Sequence, residues 1–463
     1  MTGTSKLLRD SKNTRWGMLL IISFVMFAAY IASDNIFSVE KTLMDPVTYG
    51  VTQVEYDNLA GAYSIFNVYL LMLIFGGLIL DKMGIRFTGI MSCLLMVAGI
   101  GMLTWSLFDL RGLVAAGTET GYTNFLGAKL RTPVFWAVMG IGIYGVGAEI
   151  GGITATKAIA KWFTGYEMAL AMGLQLALAR LGTGIAYGAT PVIVSAANGN
   201  VGIAVLIGLV LLCIGLVAFL FYSIYDKRLD RQIAEAGMRD STGSPEDEFH
   251  FKDTVQVIKN PAFWMIAFLC LLFYAAVNPF LKYSTGMMIS KFGVSDTLAG
   301  LFPLILPMGC IVLTPLFGGI YDRKGHGADL MIFGAVLITC VHLLFSAPFI
   351  TSKWIALILM ALLGVGYAML PSAMWPSIAK IMPAKLLGTT MALTFYIQNI
   401  GFIFVPKAIG AIKEATDDNY TYVMLFFAGL GVIAMLLSVC VKILDKKKGY
   451  GLQIPNIKSD RPE

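Results

Sequence analysis

The stretch GGLILDKMGIR, residues 76–86, lies between two apolar segments and ends in a short run of charge and glycine. A second stretch, GGIYDRKGHG at 318–327, repeats its order: glycine, three residues, aspartate, a basic residue, one residue and glycine. Each aspartate would end a helix beside cations, and the last glycine would permit a tight reversal of the chain. Two copies at corresponding places in the chain predict an internal repeat.

The residues around both stretches are mostly apolar. Of the 463 residues, 57% are hydrophobic and 13% are charged, whereas soluble proteins carry roughly 25% charged residues. The 49 glycines suit helices that pack closely in lipid. The composition therefore predicts an integral membrane protein. The net charge of +6 does not require a nucleic-acid partner, because basic loops on one membrane face would account for it.

Twelve apolar segments, six before the longest polar segment and six after it, are each long enough, at about 20 residues, to cross the hydrocarbon of a bilayer. They lie near 16–36, 59–80, 86–108, 133–157, 167–195, 200–224, 262–290, 296–321, 328–350, 353–379, 385–412 and 419–443. We predict an all-α membrane protein with twelve transmembrane helices. Its predicted parts are an N-terminal six-helix bundle over 1–225, a cytoplasmic linker over 226–260, and a C-terminal six-helix bundle with a cytoplasmic tail over 261–463.

Basic residues in short loops predict how the chain crosses the membrane. The N-terminus, the turns after the second, fourth and eighth spans, and the C-terminal tail are rich in Lys and Arg and would share one face. The other face carries acidic or neutral loops, such as EATDDN at 414–419. Because basic loops stay in the cytoplasm, both termini are predicted to be cytoplasmic. Short loops and the lack of sorting signals favour a bacterial inner (plasma) membrane.

The sequence has no pattern typical of catalysis, metal binding or cofactor binding. The six cysteines lie in apolar segments without metal-ligand spacing, and the three histidines do not cluster. No nucleophile is paired with a base, and no phosphate-binding loop follows a strand. We therefore predict no enzymatic activity, no metal and no cofactor. A receptor or scaffold is also disfavoured, because no sizeable soluble domain is present.

Two opposite charges interrupt the apolar spans at similar depth. Glu149 lies in the fourth span, within GIYGVGAEIGG at 142–152, and Arg180 lies in the fifth, within GLQLALARLGTG at 173–184. They are about 15 Å and 20 Å from the predicted cytoplasmic surface. Charges at this depth are expected to face a cavity or a partner. Three interpretations are open: a salt bridge that joins the two spans, a clamp on a zwitterionic substrate, and a proton-coupling carboxylate at Glu149.

Longer stretches resemble a known family. The turns at 76–86 and 318–327 resemble the signature loops of the major facilitator superfamily. Two further stretches resemble the lysosomal dipeptide transporters of that superfamily: GAEIGGITATKAIAKWFTGYEMALAMGLQLALARLG at 147–182 and LLGVGYAMLPSAMWPSIAKIMPAKLLGTTMALTFYIQNIG at 362–401. The resemblance covers essentially the whole chain. It implies two pseudo-symmetric six-helix bundles around a central cavity, with alternating access by rocking of the bundles.

The resemblance implies a dipeptide uniporter that works by facilitated diffusion. In it Glu149 would hold the amino group of the substrate and Arg180 the carboxylate. Two alternatives of the same fold stay open: an organic anion or carboxylate exchanger that uses Arg180, Lys282 and Lys407, and a proton-coupled symporter. Lys282 would either reach the membrane interface or add an anion contact. The superfamily suggests a monomer. Its lysosomal members have an accessory glycoprotein, for which this sequence offers no test.

Other polar and aromatic residues of the spans are candidates to line the cavity. Each also has a packing interpretation, as an interhelical hydrogen bond or as apolar filling. Besides Glu149 and Arg180, the predicted substrate-binding residues are Tyr30, Asp34, Tyr63, Asn67, Tyr274, Asn278, Trp375 and Gln398. Asn399, next to Gln398, is a further candidate to line the cavity. The predicted gating residues, at the two signature turns, are Asp81, Arg86, Asp322 and Arg323.

Overall fold

The computed structural model describes residues 7–118, 120–163, 166, 168–235, 251–382 and 386–455. This part of the chain is almost entirely helical. Its helices are α1 (Lys12–Asp34), α2 (Glu40–Met44), α3 (Gln53–Ala62), α4 (Ile65–Tyr69), α5 (Met72–Ala116), α6 (Thr132–Trp162), α7 (Met168–Ala196), α8 (Val201–Glu235), α9 (Phe251–Ile258), α10 (Pro261–Phe292), α11 (Asp296–Ala299), α12 (Leu301–Lys324), α13 (Gly327–Ser346), α14 (Lys353–Ile381), α15 (Leu387–Ala415) and α16 (Tyr420–Lys448). Two strands, β1 (Tyr122–Phe125) and β2 (Ala128–Arg131), form an antiparallel hairpin.

Several helices begin where the sequence supplies a residue that suits a helix N-terminus. The Asn260 side chain accepts the Ala262 N–H at 2.9 Å before α10, and the Asn419 side chain accepts the Thr421 N–H at 2.9 Å before α16. These oxygens satisfy backbone N–H groups that have no acceptor within the helix. Pro261 occupies the first turn of α10, where its missing N–H costs nothing.

The second predicted span is broken in the structure. Eleven described helices are long and apolar enough to cross a membrane, whereas the sequence predicts twelve. The span predicted at 59–80 is divided among α3, α4 and the first part of α5, and Leu71 has a left-handed φ of 54° at the second break. Hydropathy does not reveal such breaks, because it reports composition and not backbone geometry. The segment at 59–80 is therefore the predicted crossing that has no single long helix in the described chain.

The two signature turns reverse at their glycines, as the sequence predicts. Gly84 has φ 77° and ψ 173° and interrupts α5 between the second and third spans. Gly325 has φ 74° at the end of α12. Residues with a Cβ rarely adopt such angles. The C-terminal tail packs on the second turn, where the His326 N–H donates to the Gln453 carbonyl at 3.1 Å.

The predicted linker over 226–260 is partly helical. The helix α8 continues to Glu235, and α9 covers Phe251–Ile258. Residues 236–250 lie outside the described part of the chain. Below, residues 7–235 are called the N-terminal half and residues 251–455 the C-terminal half. The face that carries the α2–α3 loop is called the outer face, following the predicted topology.

The two halves meet most extensively along two helix pairs, α3 with α15 and α7 with α12. The approach is close: a Cβ on Gly61 would lie 3.3 Å from the Ile403 carbonyl oxygen. Along α15, residues from Tyr396 to Lys413 hydrogen-bond to the N-terminal half. The Tyr396 hydroxyl donates to the Val68 carbonyl, and the Lys413 ammonium, near the outer end of the helix, donates to Glu40. In the described part of the chain, the two halves are therefore held together at the outer face.

The β-hairpin between the third and fourth spans is absent from our sequence prediction, and it is tied to the start of α3. Glu55 forms a capping box with Thr52, and its carboxylate also pairs with the Arg131 guanidinium at 2.7 Å. Arg131 further donates to the carbonyl oxygens of Tyr49 and Gly50. Burial raises the pKa of Glu55, but hydrogen bonds from Arg131 and from backbone N–H groups outweigh it, so the pKa lies below its usual value.

We expect Arg131→Ala to lower the free energy of unfolding by about 2 kcal/mol, because it removes charge-assisted hydrogen bonds to a buried carboxylate. A carboxylate with a lowered folded pKa stabilises the fold above its unfolded pKa and loses this effect as pH falls through the folded pKa. The difference in melting temperature between wild type and variant should therefore be full near pH 7 and shrink below about pH 4.5.

Thermal unfolding of purified protein from pH 7 to pH 3.5 measures this difference. Arg231→Ala is the matched control, since it removes an exposed ion pair with Glu235 whose side chains are 82% and 61% exposed and should change stability little. If the difference in melting temperature between wild type and Arg131→Ala stays constant down to pH 3.5, the ionised Glu55 carboxylate is not what Arg131 stabilises.

Candidate functional site

Arg180 lies in the middle of α7, half-buried between the two halves. Its guanidinium carbon lies 6.0 Å from the ring centre of Tyr30 in α1 and 5.5 Å from that of Tyr367 in α14. Aromatic faces at these distances attract a cation and offset part of its desolvation. Among the described residues, no carboxylate lies within 4.0 Å of the guanidinium. Its planar set of donors suits a carboxylate ligand.

Glu149 lies in α6 and is also half-buried. The Asn399 side-chain amide, from α15, donates to its Oε1 at 3.5 Å. Asn399 is itself held by the Ser64 hydroxyl, which donates to Asn399 Oδ1 at 2.6 Å. Tyr63, at the first break of the second span, also contacts the carboxylate. The carboxylate is therefore positioned by neutral partners, so an ammonium ion could still bind it.

In the described structure, no Glu149 carboxylate oxygen lies within 4.0 Å of an Arg180 guanidinium nitrogen, so the two residues do not form an ion pair. Tyr30 interacts electrostatically with both charges, so its side chain lies near both of them. The sequence left a direct salt bridge open as the simplest structural interpretation, and this geometry does not provide one. Two opposite charges that do not pair with each other remain available to a ligand with two charged ends.

The C-terminal half contributes an aromatic wall to the same region. The Trp375 indole N–H donates to the Tyr274 hydroxyl at 3.1 Å, and the Tyr367 hydroxyl donates to Asn278 Oδ1 at 3.0 Å. Trp375 also stacks on Phe395 with ring centres 4.8 Å apart. Tyr274 is 8% exposed, whereas Asn278 and Trp375 are half-buried. One residue of this wall, Tyr367, lies against the Arg180 guanidinium.

Asp34 and Lys282 form a second set of charges near the site. Asp34, at the end of α1, accepts the Ser33 hydroxyl at 3.1 Å and interacts electrostatically with Arg180 and Lys282. The Lys282 ammonium donates to the Ala60 carbonyl and lies 4.4 Å from the ring centre of Phe37. Lys282 thus points between the two halves. The interpretation in which its side chain reaches the membrane interface is wrong, because the Ala60 carbonyl and the Phe37 ring hold its ammonium between the halves.

Two predicted substrate-binding residues are packed between helices. Asn67 is 0% exposed, and its side-chain amide donates to the Gly145 carbonyl at 3.2 Å. Gln398 is 7% exposed and accepts the Cys270 thiol at 3.4 Å. These contacts match the packing interpretation that the sequence left open for amides within the spans. Neither side chain presents a large surface to a ligand in this conformation.

The predicted gating residues lie at the two signature turns, on the face that the predicted topology assigns to the cytoplasm. Arg86 pairs with Asp230 at 2.6 Å and with Asp226 at 3.7 Å, so it joins α5 to the end of α8. The buried Lys161 also pairs with Asp226, at 2.9 Å. The side chain of Asp81 lies outside the described part of the structure. Asp322 is half-buried and Arg323 is exposed at the end of α12.

Two residues of this region, Tyr367 and Ser64, were missing from the predicted candidates, whereas Asn399 was among them. Tyr367 lies inside the stretch that carries the family resemblance, but a hydroxyl in an apolar span gives no sign of which way it points. The described residues contain no group of three or more His, Cys, Asp or Glu side chains that could hold a metal ion.

Comparison with known proteins identifies the class. Residues 19–406 match the model of the Major Facilitator Superfamily, and the helical fold agrees with it. The chain belongs to this superfamily and is a multi-pass membrane transporter, not an enzyme. The family predicted from the sequence is thus confirmed.

The chain is also similar to individual members of this superfamily and to solved structures. It is 27% identical over 450 residues to the lysosomal dipeptide transporter MFSD1 of Danio rerio, and the alignment covers 94% of this chain and 88% of the relative. It is 23% identical over 438 residues to the hexuronate transporter of Escherichia coli, which covers 90% of this chain and 92% of the relative. The crystal structure of a D-xylose-proton symporter superposes with a TM-score of 0.66 at 14% identity, covering 91% of this chain and 97% of that one. This last likeness shows the fold alone.

Proposed function

We propose that this transporter moves dipeptides across the membrane by alternating access, as a uniporter. The observation that carries the proposal is the placement of Glu149 and Arg180. They are opposite charges on adjoining helices, both half-buried, with Tyr30 near both and no ion pair between them. The likeness to proteins named lysosomal dipeptide transporters supports the same substrate class.

The proposed substrate contacts follow from the chemistry of the two ends. Arg180 binds the carboxylate of the dipeptide through its planar pair of N–H donors. Glu149 accepts the ammonium group, with Asn399 keeping the carboxylate in place. The aromatic wall of Tyr274, Tyr367 and Trp375 packs against the peptide plane and side chains. Because every dipeptide has these two charged ends, the clamp tolerates varied side chains.

The charge balance of the site supports uniport. The two acidic residues Glu149 and Asp34 are matched by the two basic residues Arg180 and Lys282, so the site is neutral in its ionised form. A dipeptide zwitterion is also neutral, so its passage moves no net charge and needs no accompanying ion. The two halves, which we propose as bundles over 1–225 and 261–463 joined by the linker, rock around this site.

We further propose a bacterial inner (plasma) membrane, a monomer, and both termini in the cytoplasm. The basic loops on the face of the signature turns support this orientation. In this orientation the contacts between the halves at the outer face would separate the site from the outside. At the signature turns, the Arg86 pairs with Asp226 and Asp230 would need to adjust when the cytoplasmic side closes.

Binding of dipeptides with blocked ends tests the clamp on wild-type protein. We expect Ala-Ala to raise the melting temperature of the purified transporter, because a ligand at 100 times its Kd stabilises the folded state by about 2.7 kcal/mol. N-acetylated Ala-Ala and Ala-Ala amide should each lose most of this shift, because each lacks one charged end. Differential scanning fluorimetry across a dipeptide panel makes the measurement. No shift with any unblocked dipeptide would refute the substrate class.

An organic anion exchanger is the second candidate, and one observation favours it. Lys282 lies near Asp34 in the site region, so two cations, Arg180 and Lys282, are available there, and one relative is named a hexuronate transporter. In proteoliposomes, uronate or dicarboxylate exchange that is unchanged by Glu149→Gln would support the exchanger over the dipeptide uniporter. Dipeptide-dependent acidification of the vesicle interior would instead indicate a proton-coupled symporter.

A further inference from the structure

A fully buried ion pair joins the two halves at the outer face. The Lys413 ammonium, near the end of α15, lies 3.0 Å from Glu40 Oε1 in α2, and the two side chains are 1% and 0% exposed. In the described part of the chain, it is the one ion pair within 4.0 Å that connects the N-terminal half to the C-terminal half. It lies outside the proposed substrate site and outside the signature turns.

A second contact lies beside it. The Tyr283 hydroxyl, in α10, donates to Asp57 Oδ1 in α3 at 2.7 Å. The neighbouring Tyr56 hydroxyl donates to the Lys282 carbonyl at 2.6 Å. Gly410 makes room for the Asp57 carboxylate, because a Cβ at Gly410 would overlap it. Both contacts join the helices that must separate if the outer face opens.

The energetics of such a pair suit a reversible closure. Burying two charges costs desolvation free energy that their attraction roughly balances, so an intact buried pair contributes little net stability. When the outer face opens, both side chains would become hydrated, so separating the pair would cost little free energy. Removing one partner is different, because it leaves an uncompensated buried charge in the closed state only.

We propose that Glu40 and Lys413, together with Asp57 and Tyr283, form the outer gate of this transporter. The proposal rests on the proposed alternating-access function. It assigns the residues that set the ratio of the outward-open to the outward-closed population of the transporter. The ion pair keeps the closed state accessible without making it permanent, and the Asp57–Tyr283 hydrogen bond holds α3 in register with α10.

The surroundings of the pair predict an asymmetry between single variants. Lys413 keeps two other partners, Asp418 at 3.4 Å and the Tyr420 hydroxyl at 3.4 Å. Glu40 has no other cation within 4.0 Å among the described residues, and its Oε2 has no hydrogen-bond partner. Lys413→Met should therefore destabilise the closed state more than Glu40→Gln does. The double variant should lie closer to wild type than Lys413→Met, because it buries no charge without a counterion.

Distance measurement between the halves tests this proposal without substrate. Spin labels at Val47→Cys and Phe349→Cys, both 83% exposed at the outer face, report the separation in purified full-length protein. The background carries alanine at the exposed cysteines Cys213, Cys340 and Cys440. We expect Lys413→Met to raise the population ratio of long to short distances at least tenfold, Glu40→Gln to raise it less, and the double variant to return toward wild type.

Lys442→Met is the matched control, because it removes a partly exposed ion pair with Asp329 at 2.6 Å within the C-terminal half, and its distance distribution should equal that of wild type. Equal distributions for wild type and Lys413→Met, or a double variant shifted as far as Lys413→Met, would overturn the proposal. If Lys413→Met does not give folded protein by size-exclusion chromatography, Glu40→Gln against the double variant decides the same question. These distances need no ligand, so they test the gate separately from dipeptide binding.

Discussion

Arg180→Ala should abolish measurable dipeptide transport. Removing one member of a desolvated charge pair costs about 2–5 kcal/mol, which corresponds to roughly 30-fold to 4,000-fold in affinity. In this site the loss should fall in the upper part of that range, because no other described cation contacts the Tyr30 and Tyr367 faces that flank the guanidinium. Uptake of labelled dipeptide into proteoliposomes, with binding measured by thermal shift, gives the size of the effect.

A pairing of variant with ligand makes this result specific to the carboxylate. Wild type should prefer Ala-Ala to Ala-Ala amide, whereas Arg180→Ala should bind both equally weakly, because the group that distinguishes them is gone. Arg180→Lys should recover part of the binding, since an ammonium provides charge without the planar fork. A variant that still prefers the free acid would show that another residue holds the carboxylate. Glu149→Gln with N-acetylated Ala-Ala forms the corresponding test of the amino end.

Gly145→Ala should destabilise the fold strongly. A Cβ on Gly145 would overlap the Tyr63 carbonyl oxygen, at the first break of the second span. Because the obstacle is backbone and cannot rotate away, the cost should be at the upper end of overpacking effects, about 3 kcal/mol. The melting temperature in detergent should fall by several degrees, and transport should fall with it because Tyr63 contacts Glu149.

Gly429→Ala is the matched control for this substitution. Gly429 also lies in a transmembrane helix, and a Cβ there meets no heavy atom within 4 Å. It should leave the melting temperature unchanged or raise it slightly, because alanine restricts the unfolded chain more than glycine does. A Gly145→Ala protein as stable as the Gly429→Ala protein would show that the break between α3 and α4 can move away from α6.

The helix α15 connects the proposed site to the proposed outer gate. Asn399 contacts Glu149 in the site, and Lys413, fourteen residues further along, pairs with Glu40 at the outer face. A helix of this length spans about 21 Å. The same helix, α15, therefore contacts the proposed substrate site at one end and the proposed outer gate at the other. Pro406 lies between these two contacts.

The amino-acid sequence by itself determined the membrane class, the internal repeat and the family. These properties depend on local composition and spacing: apolar runs of span length, basic short loops, and an aspartate and a glycine at matching places in 76–86 and 318–327. It also singled out Glu149 and Arg180, because a charge within an apolar span is conspicuous without knowledge of its neighbours. The Gly84 and Gly325 reversals were predictable for a similar reason, since the residue type limits the backbone.

Only the tertiary structure decided which distant residues meet. The break in the second span, the contacts of Tyr367 with Arg180 and of Asn399 with Glu149, and the Glu40–Lys413 pair all join residues from different helices. A sequence pattern shows that an amide or an ion is present in a span, but its partner depends on how the helices pack and rotate. Asn67 and Asn399 illustrate this, because both are asparagines within apolar spans, yet one packs against a backbone carbonyl and the other positions the carboxylate of the proposed site.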